Sequence, residues 1–489
     1  MPVFVAPAHP LSRAVETHLP CQNAVFPPLA CRLRSPPRTR PVSLHNAPQS
    51  AQGERRGNVM KIGYVGLGAM GGALARWLVA DHDLMVWDLN PEAMARFAEY
   101  GATPATSLPD MARACDIVFL CLPRSSNVET AIFGDGGLVG GLAPGKIVID
   151  QTSGVGAETR DMAIRLAAQG VDMLDAPVAG GVPSAVGGTI TIMLSGDDGA
   201  QARAMPALRA MTSKIYRASG VAGDAQSVKT LNNMMNMVFR VATLELAALA
   251  VRLGVPMGEL TPALEAGVAG NFTCRTVLPA IIAERSVGDF ALTLMLKDNN
   301  QALELGIAAG VPMPLSALGR AAVQMNINII GDHAGLDHVM PFMEQATGVR
   351  FMDTFDRVTD SDVTALTITA LAAANRAVAY EILSVAAKMG MDLTDFGRIL
   401  NNGSAWNREC ENILDELSTG RASATTLGDA IDAMRKLEEL NLKHGVTTLM
   451  LGEVRAIYET AARELGMGAS VSFLATLYER VGDVTLRAA

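Results

Sequence analysis

The chain has 489 residues, 49% apolar, 18% charged and only 4% aromatic, enough for two or three packed domains around a sizeable core. Forty Lys and Arg stand against 49 Asp and Glu, a net charge of -9, so no basic excess is available to neutralise nucleic-acid phosphates. Mean hydropathy is +0.24, yet the sequence contains no run of about 18 uncharged apolar residues, so neither nucleic acid nor a membrane is an expected partner.

Residues 1–59 hold ten of the 24 prolines, seven Arg, two acids and no Lys, a composition that reads as a disordered extension. It is Arg-rich and acid-poor like an organelle transit peptide, but its prolines break the amphipathic helix such an address needs. A mis-assigned start is the favoured reading, because Met60 directly precedes KIGYVGLG; the expected location is then cytoplasmic, and mitochondrial only if the extension is a transit peptide. The body without it has 33 basic and 47 acidic residues, a charge of -14. Cys21, Cys31, Cys115, Cys121, Cys274 and Cys410 show neither CxxC nor Cys/His spacing, which suits a reducing compartment and predicts no metal site.

From Lys61 the order is apolar strand, glycine turn, amphipathic helix, second strand and acid, a βαβ unit. Gly66, Gly68 and Gly71 form GxGxxG, with Leu67, Ala69 and Met70 between them. The first glycine permits the turn, the second lets backbone approach a pyrophosphate, and the third lets helix and strand pack closely. Unpaired N–H groups at the helix start favour the phosphates. Asp88 follows 22 residues after Gly66, where a carboxylate accepts from ribose hydroxyls and repels a 2′-phosphate, so NAD is expected rather than NADP. The rival reading of Asp88 is a cap on the helix that begins at Pro91. Strands DIVFLCLP, ending at Leu122 and Pro123, and KIVID, ending at Asp150, should bring their loops to the ligand edge of a parallel sheet. Farther on, DAPVAGGVPSAVGGTITIMLSGD (175–197) places a Gly-Gly turn after a strand, and KTLNNMMNM puts Lys229, Asn232 and Asn233 at the opening of a long apolar helix, with Lys229 and Asn233 on one face.

These motifs in this order, GLGAMG, LP at 122–123, DAPVxGG at 175–181, KxxNN at 229–233 and LKDNNQA at 296–302, resemble the β-hydroxyacid dehydrogenase family over residues 60–348. That is the group of 3-hydroxyisobutyrate dehydrogenase and tartronate semialdehyde reductase, related to 6-phosphogluconate dehydrogenase. The resemblance implies that Lys229 is the catalytic lysine and that Asn233 holds the reacting oxygen. It places Leu122, Pro123, Asn127 and Ser153 against NAD, and Lys297 over the cofactor. Gly180 and Gly181 would offer backbone donors to a substrate carboxylate, with Asn232 beside them. Two departures fall in the substrate loop: Ala179 stands where the family usually has Ser, and Ser184 where it often has Gly.

Past Ala225 the apolar spacing changes to 3.6 residues, predicting an all-α remainder. The expected organisation is a Rossmann-type α/β domain at 60–225, a helical catalytic and dimerisation domain at 226–348, and a second, degenerate helical copy at 362–489. The copy shows in ELAALAVRLGV (245–255) against EILSVAAKMGM (381–391), and in Gly310, Val311, Arg320 and Ala321 against Gly445, Val446, Arg455 and Ala456. Lys229 there becomes Ala365, Asn232 and Asn233 become Ile368 and Thr369, and Lys297 becomes Asp432, so the copy should be structural. It would occupy the place of a partner's helical domain, making the chain a pseudo-dimer; a homo-oligomer through the helical domains is the alternative.

Oxidising an alcohol needs a group that accepts the hydroxyl proton and returns it in reverse, and a buried lysine with a lowered pKa does both. The expected activity is therefore interconversion of a small β-hydroxyacid with its semialdehyde or keto acid. Two alternatives stand beside it. An oxidative decarboxylase of the 6-phosphogluconate type is suggested by the doubled helical region but resembles KxxHN where this chain has Asn232. A non-catalytic NAD-binding protein would leave Lys229, Asn233 and Lys297 without a purpose. Imine reductases share the architecture but usually lack the lysine.

Overall fold

A computed structural model describes residues 59–487 apart from residue 289, so the extension at 1–58, with Cys21 and Cys31, lies outside the described residues. Nine strands form one sheet: β1 (Lys61–Val65), β2 (Asp83–Trp87), β3 (Thr103–Pro104), β4 (Ile117–Leu120), β5 (Ile147–Asp150), β6 (Asp172–Asp175), β7 (Val178–Ala179), β8 (Thr191–Ser195) and β9 (Lys214–Ser219). Their order is β3-β2-β1-β4-β5-β6-β8-β7, with β9 on β8. β1 to β6 run parallel, which fits the continuous apolar runs IVFL and IVID, buried on both faces. The order reverses between β1 and β4, and that switch point opens a crevice at the strand ends. β4 stops at Leu120, before the expected Leu122 and Pro123, which belong to the loop beyond it.

Crossovers are α1 (Ala69–Ala75), α2 (Pro91–Glu99), α3 (Leu108–Ala114), α4 (Ser125–Phe133) and α5 (Gly156–Ala167); α6 (Gly181–Val186) and α7 (Asp198–Met211) connect the later strands. Asn90, not Asp88, caps α2, accepting from Glu92 N at 3.0 Å. Gly223 (φ +93°) then turns the chain into α8 (Asp224–Arg252), two residues ahead of the expected start of the helical domain at 226.

α8 begins an all-helical region: α9 (Met257–Ala266), α10 (Leu278–Ile282), α11 (Leu292–Ala309), α12 (Pro314–Ile330), α13 (Val339–Thr347), α14 (Val363–Lys388), α15 (Leu393–Asn401), α16 (Arg408–Thr419), α17 (Leu427–His444), α18 (Leu451–Leu465) and α19 (Leu474–Gly482). α8 and α14 have the length and hydropathy of membrane spans, but the apolar window of α8 is wholly buried and that of α14 is 72% buried, as in core helices. One apolar core runs through the whole helical region, and two further clusters flank the sheet.

The helices recur in register. α11 and α17 are offset by 135 residues at both ends, as are α13 and α19, and the left-handed glycines Gly254 and Gly390 that follow α8 and α14 are offset by 136. Corresponding residues also pair with one another. Asn271 bridges Asn407, while Phe272 N donates to Trp406 O and Arg408 N to Gly270 O, both at 2.9 Å. Asn271 and Asn407 each accept from the amide three residues on, Cys274 and Cys410.

The repeated motif begins with a glutamate in each set, and each serves the other set. Glu245 on α8 accepts from the amides of Leu449, Met450 and Leu451 at the start of α18. Glu381 on α14 accepts from Leu315 N at 2.8 Å, Ser316 N at 2.9 Å and Ser316 Oγ at 2.7 Å at the start of α12. Helix starts leave donors without intrahelical partners, so each carboxylate satisfies donors that burial would otherwise strand.

Candidate active site

The glycine turn has the geometry its spacing implies. A Cβ on Gly66 (φ +94°) would lie 2.3 Å from Cys121 O, and one on Gly71 would lie 2.0 Å from Gly66 O, whereas one on Gly68 meets nothing within 4 Å. Gly68 therefore faces open space: a cleft of about 830 Å³ lined by Gly66, Gly68, Ala69, Met70, Gly71, Asp88, Leu122, Pro123 and Asn127. A cleft of this size with a helix start at its floor fits a dinucleotide. Leu67 turns its side chain into the core and gives its N–H to Asp88 Oδ2 at 2.6 Å. The other Asp88 oxygen accepts from Asn90 N at 2.8 Å, so the carboxylate at the end of β2 is held rigidly beside the turn. Thr106, Ser107 and Thr130 also line the cleft. No motif marked them, because they enter on loops whose local sequence is ordinary.

At the other end, α8 is anchored before its functional face begins. Asp175, at the tip of β6, accepts from Gly223 N at 2.8 Å, Gln226 N at 2.9 Å and Ser195 Oγ. Burial pushes its pKa up, and the three donors oppose that. Gln226 clips the loop after β5, donating Nε2 to Thr152 O at 2.6 Å and accepting from Gly154 N at 3.0 Å. In the sequence Asp175 stands only as the start of a motif and Gln226 belongs to none; its place three residues before Lys229 is the one signal it carries.

Lys229, one turn in, donates Nζ to Val178 O at 2.7 Å, which places the amine beside Gly180 and Gly181. Both glycines have left-handed φ, +128° and +73°. A Cβ on Gly180 would be 3.1 Å from Ser184 Oγ, so the loop that lacks a hydroxyl at Ala179 carries one against Gly180. Burial lowers the Lys229 pKa below 10.5; Asp298 opposes this and Lys297 adds to it. Asn233 donates Nδ2 to Asp298 Oδ2 at 2.6 Å, and Lys297 pairs with Asp298 Oδ1 at 3.1 Å while donating to Ser153 O at 2.7 Å. Ser153 and Lys297 thus meet each other and tie α11 to the loop after β5.

Asn232 departs from the expectation that it faces substrate. It is wholly buried, donating to Ser404 Oγ at 3.0 Å and accepting from Ala405 N at 3.3 Å. The reason is helical spacing: position 232 is rotated away from the face shared by 229 and 233 and meets the loop between α15 and α16. Asn236 donates to Ser404 O in the same loop.

Residues 61–220 match the NAD-binding domain of 6-phosphogluconate dehydrogenase, and 223–341 the NAD-binding domain of NADP-dependent 3-hydroxyisobutyrate dehydrogenase. A 3-hydroxyisobutyrate dehydrogenase of Pseudomonas aeruginosa is 34% identical over 284 residues, 56% of this chain and 95% of the relative. The chain belongs to the β-hydroxyacid dehydrogenase family. An L-threonate dehydrogenase of Cupriavidus necator is 33% identical over 265 residues, 54% of this chain and 88% of that one. Among solved structures, a Mycobacterium tuberculosis 3-hydroxyisobutyrate dehydrogenase with L-serine matches with a TM-score of 0.53 at 27% identity, over 59% of this chain and 99% of its own. A Plasmodium falciparum 6-phosphogluconate dehydrogenase matches in fold, with a TM-score of 0.61 at 13% identity, over 82% of this chain and 92% of its own. As a member of this family the chain is an NAD(P)-dependent dehydrogenase acting on a CH–OH group of a small molecule, with NAD as cofactor.

Proposed function

We propose that the protein interconverts a small β-hydroxyacid and its semialdehyde or keto acid, with Lys229 moving the hydroxyl proton. The observation that carries this reading is the half-buried Lys229 amine, bonded to Val178 O in the loop that leads into the two left-handed glycines. NAD, when bound, supplies the hydride acceptor. Gly68 and the start of α1 would hold its pyrophosphate, and Asp88 its ribose. In the oxidation direction neutral Lys229 Nζ takes the hydroxyl proton; in reduction the ammonium returns it to the carbonyl oxygen. The amine needs a pKa below that of free lysine for the first task, and burial supplies it. Asn233, fixed through Asp298, orients the reacting oxygen without adding charge. Gly180 and Gly181 would offer N–H groups to the substrate carboxylate, and Lys297, which donates to Ser153 O, would hold the loop after β5 against the bound cofactor.

We also infer that residues 362–489 stand in the place of a partner's helical domain. The reciprocal Glu245 and Glu381 contacts and the Asn271–Asn407 bridge support this, since each contact recurs with the two sets exchanged, as it would across a two-fold axis. Turnover of 3-hydroxyisobutyrate, L-threonate, glycerate, L-serine and 3-hydroxypropionate with NAD, alongside Lys229→Ala, tests the first reading. Turnover of one acid that the variant abolishes is expected; equal rates in the variant overturn the role of Lys229.

A further inference from the structure

Asn232 and Asn236 lie one turn apart on α8, and together they hold one residue of the second set. Asn232 Nδ2 donates to Ser404 Oγ at 3.0 Å, and Asn236 Nδ2 donates to Ser404 O. Asn232 Oδ1 accepts from Ala405 N at 3.3 Å, while Nδ2 also donates to Asn233 Oδ1 at 3.3 Å. Both hydrogens of the Asn232 amide are thereby used. This chain of amides ends at groups that cannot exchange roles. Ala405 N can only donate, so Asn232 presents its oxygen there and its nitrogen to Asn233. The Asp298 carboxylate, paired with Lys297, accepts from Asn233 Nδ2 at 2.6 Å, so Asn233 keeps its oxygen for Asn232. Turning the Asn233 amide over would set nitrogen against nitrogen at one end and oxygen against oxygen at the other. One Nδ2 hydrogen of Asn233 is then left for a reacting oxygen.

The same junction is built a second time with the two sets exchanged, and there it is apolar. In the register of the repeat, Gly267 and Val268 correspond to Gly403 and Ser404, and Ile368 and Thr369 to Asn232 and Asn233. A Cβ on Gly403 would lie 2.7 Å from Asn232 Oδ1, and one on Gly267 would lie 3.3 Å from Ile368 Cγ2, so each glycine admits the helix that faces it. An isoleucine therefore satisfies the packing at this place. Asn232 is wholly buried, and a buried amide is costly unless every polar atom is bonded. The polar version of the junction stands on the side that carries Lys229 and Asn233.

We propose that Ser404 is a positioning residue of the active site: through Asn232 it fixes the amide of Asn233, so the second helical set completes the site of the first. Ser404 touches neither cofactor nor reacting atoms in this scheme. Its hydroxyl gives the Asn232 nitrogen a fixed acceptor, Ala405 N fixes the Asn232 oxygen, and the absence of a side chain at Gly403 leaves room for that amide. The effect falls on the orientation of the reacting oxygen, where a displacement of about 1 Å is enough to cost about a hundredfold in rate. The NAD cleft is lined by other residues, so cofactor binding stays as it is.

This assignment rests on the proposed hydroxyacid reading, in which Asn233 orients the substrate oxygen. Its test measures NAD-linked turnover of 3-hydroxyisobutyrate, L-threonate, glycerate, L-serine and 3-hydroxypropionate by the full chain carrying Ser404→Ala, Ser404→Thr or Gly403→Ala, each alone and combined with Asn233→Ala. Ser404→Ala is expected to lower kcat about tenfold and Gly403→Ala about a hundredfold, with the Kd for NAD unchanged and Ser404→Thr within about twofold of wild type. In the Asn233→Ala background neither substitution should lower kcat further, because the group they act through is gone. Losses that multiply in the double variants, or a Ser404→Ala enzyme with the wild-type kcat, overturn the proposal. Crystal structures of the wild type and Ser404→Ala give a readout that needs no turnover. An Asn233 amide that leaves its place between Asn232 and Asp298 in the variant supports the relay, and one that stays there overturns it. If no acid is turned over by the wild type while Asn233 moves in the variant, the relay stands and the hydroxyacid reading falls.

Discussion

Glu245 and Glu381 are buried carboxylates whose pKa values burial raises to about 7, with the helix-start amides opposing. Unfolded, each reverts to about 4.3. A carboxyl group whose folded pKa is raised contributes stability that is fully present below the unfolded value and is lost as pH rises through the folded one. Between about pH 5 and pH 7 each glutamate should therefore lower stability by roughly 1.4 kcal/mol per pH unit, about 3 kcal/mol in all. Glu381→Gln fixes the neutral form, so its stability relative to wild type should improve by about 3 kcal/mol between about pH 5 and about pH 8. Glu245→Ala behaves differently. It leaves the amides of Leu449, Met450 and Leu451 without their acceptor, a cost of roughly 1–3 kcal/mol for each one stranded, at either pH. Urea unfolding followed by helical circular dichroism across that range measures both effects. Asp150, also raised to about 7, cancels because it is common to every variant. A wild-type-to-Glu381→Gln difference that stays constant with pH refutes the reasoning.

The rate of alcohol oxidation should rise with pH through a lysine pKa below 10.5, and the rate of reduction should fall over the same range, in steady-state pH profiles; Lys229→Arg should lose both limbs. Gly71→Ala places a Cβ 2.0 Å from Gly66 O, so NAD affinity measured by fluorescence should fall at least tenfold, whereas Gly68→Ala, which meets nothing within 4 Å in the protein, should leave the fold intact and weaken NAD alone. Asp175→Ala strands Gly223 N and Gln226 N, and should cost about 2–5 kcal/mol of stability by denaturation. A chain ending at Gly348 uncovers the apolar face of α8 now packed by α14 and should self-associate in sedimentation; a monomeric, folded and fully active product counts against the pseudo-dimer.

Local rules made much of this legible from residues. GxGxxG followed by Asp88 marked the crevice because each glycine answers a contact that a Cβ would violate, and those contacts lie within one βαβ unit. Lys229 and Asn233 were legible because four residues is one helical turn. The destination of Asn232 was not, since Ser404 lies 172 residues away and only the packing of α8 against the second set brings them together. Glu245 and Glu381 opened the repeated motif in plain view, yet the repeat alone does not reveal that each caps a helix of the other set. Gln226 and Asp175 were hidden for a similar reason: both work by accepting or donating to backbone, which leaves no side-chain pattern.

The two sets diverge where chemistry differs and agree where they hold each other. The contacts at Glu245 and Glu381, Asn271 and Asn407, and Phe272 and Arg408 persist in both, because losing either member strands buried polar groups at the junction. On the face equivalent to the candidate site, Ala365, Ile368, Thr369 and Asp432 stand where the first set has Lys229, Asn232, Asn233 and Lys297, and neither lysine is kept. Arg376 is the exception. Its guanidinium is held by two carboxylates, Glu409 and Glu416, whereas the counterpart Arg240 has Asp337 as the charge that faces it.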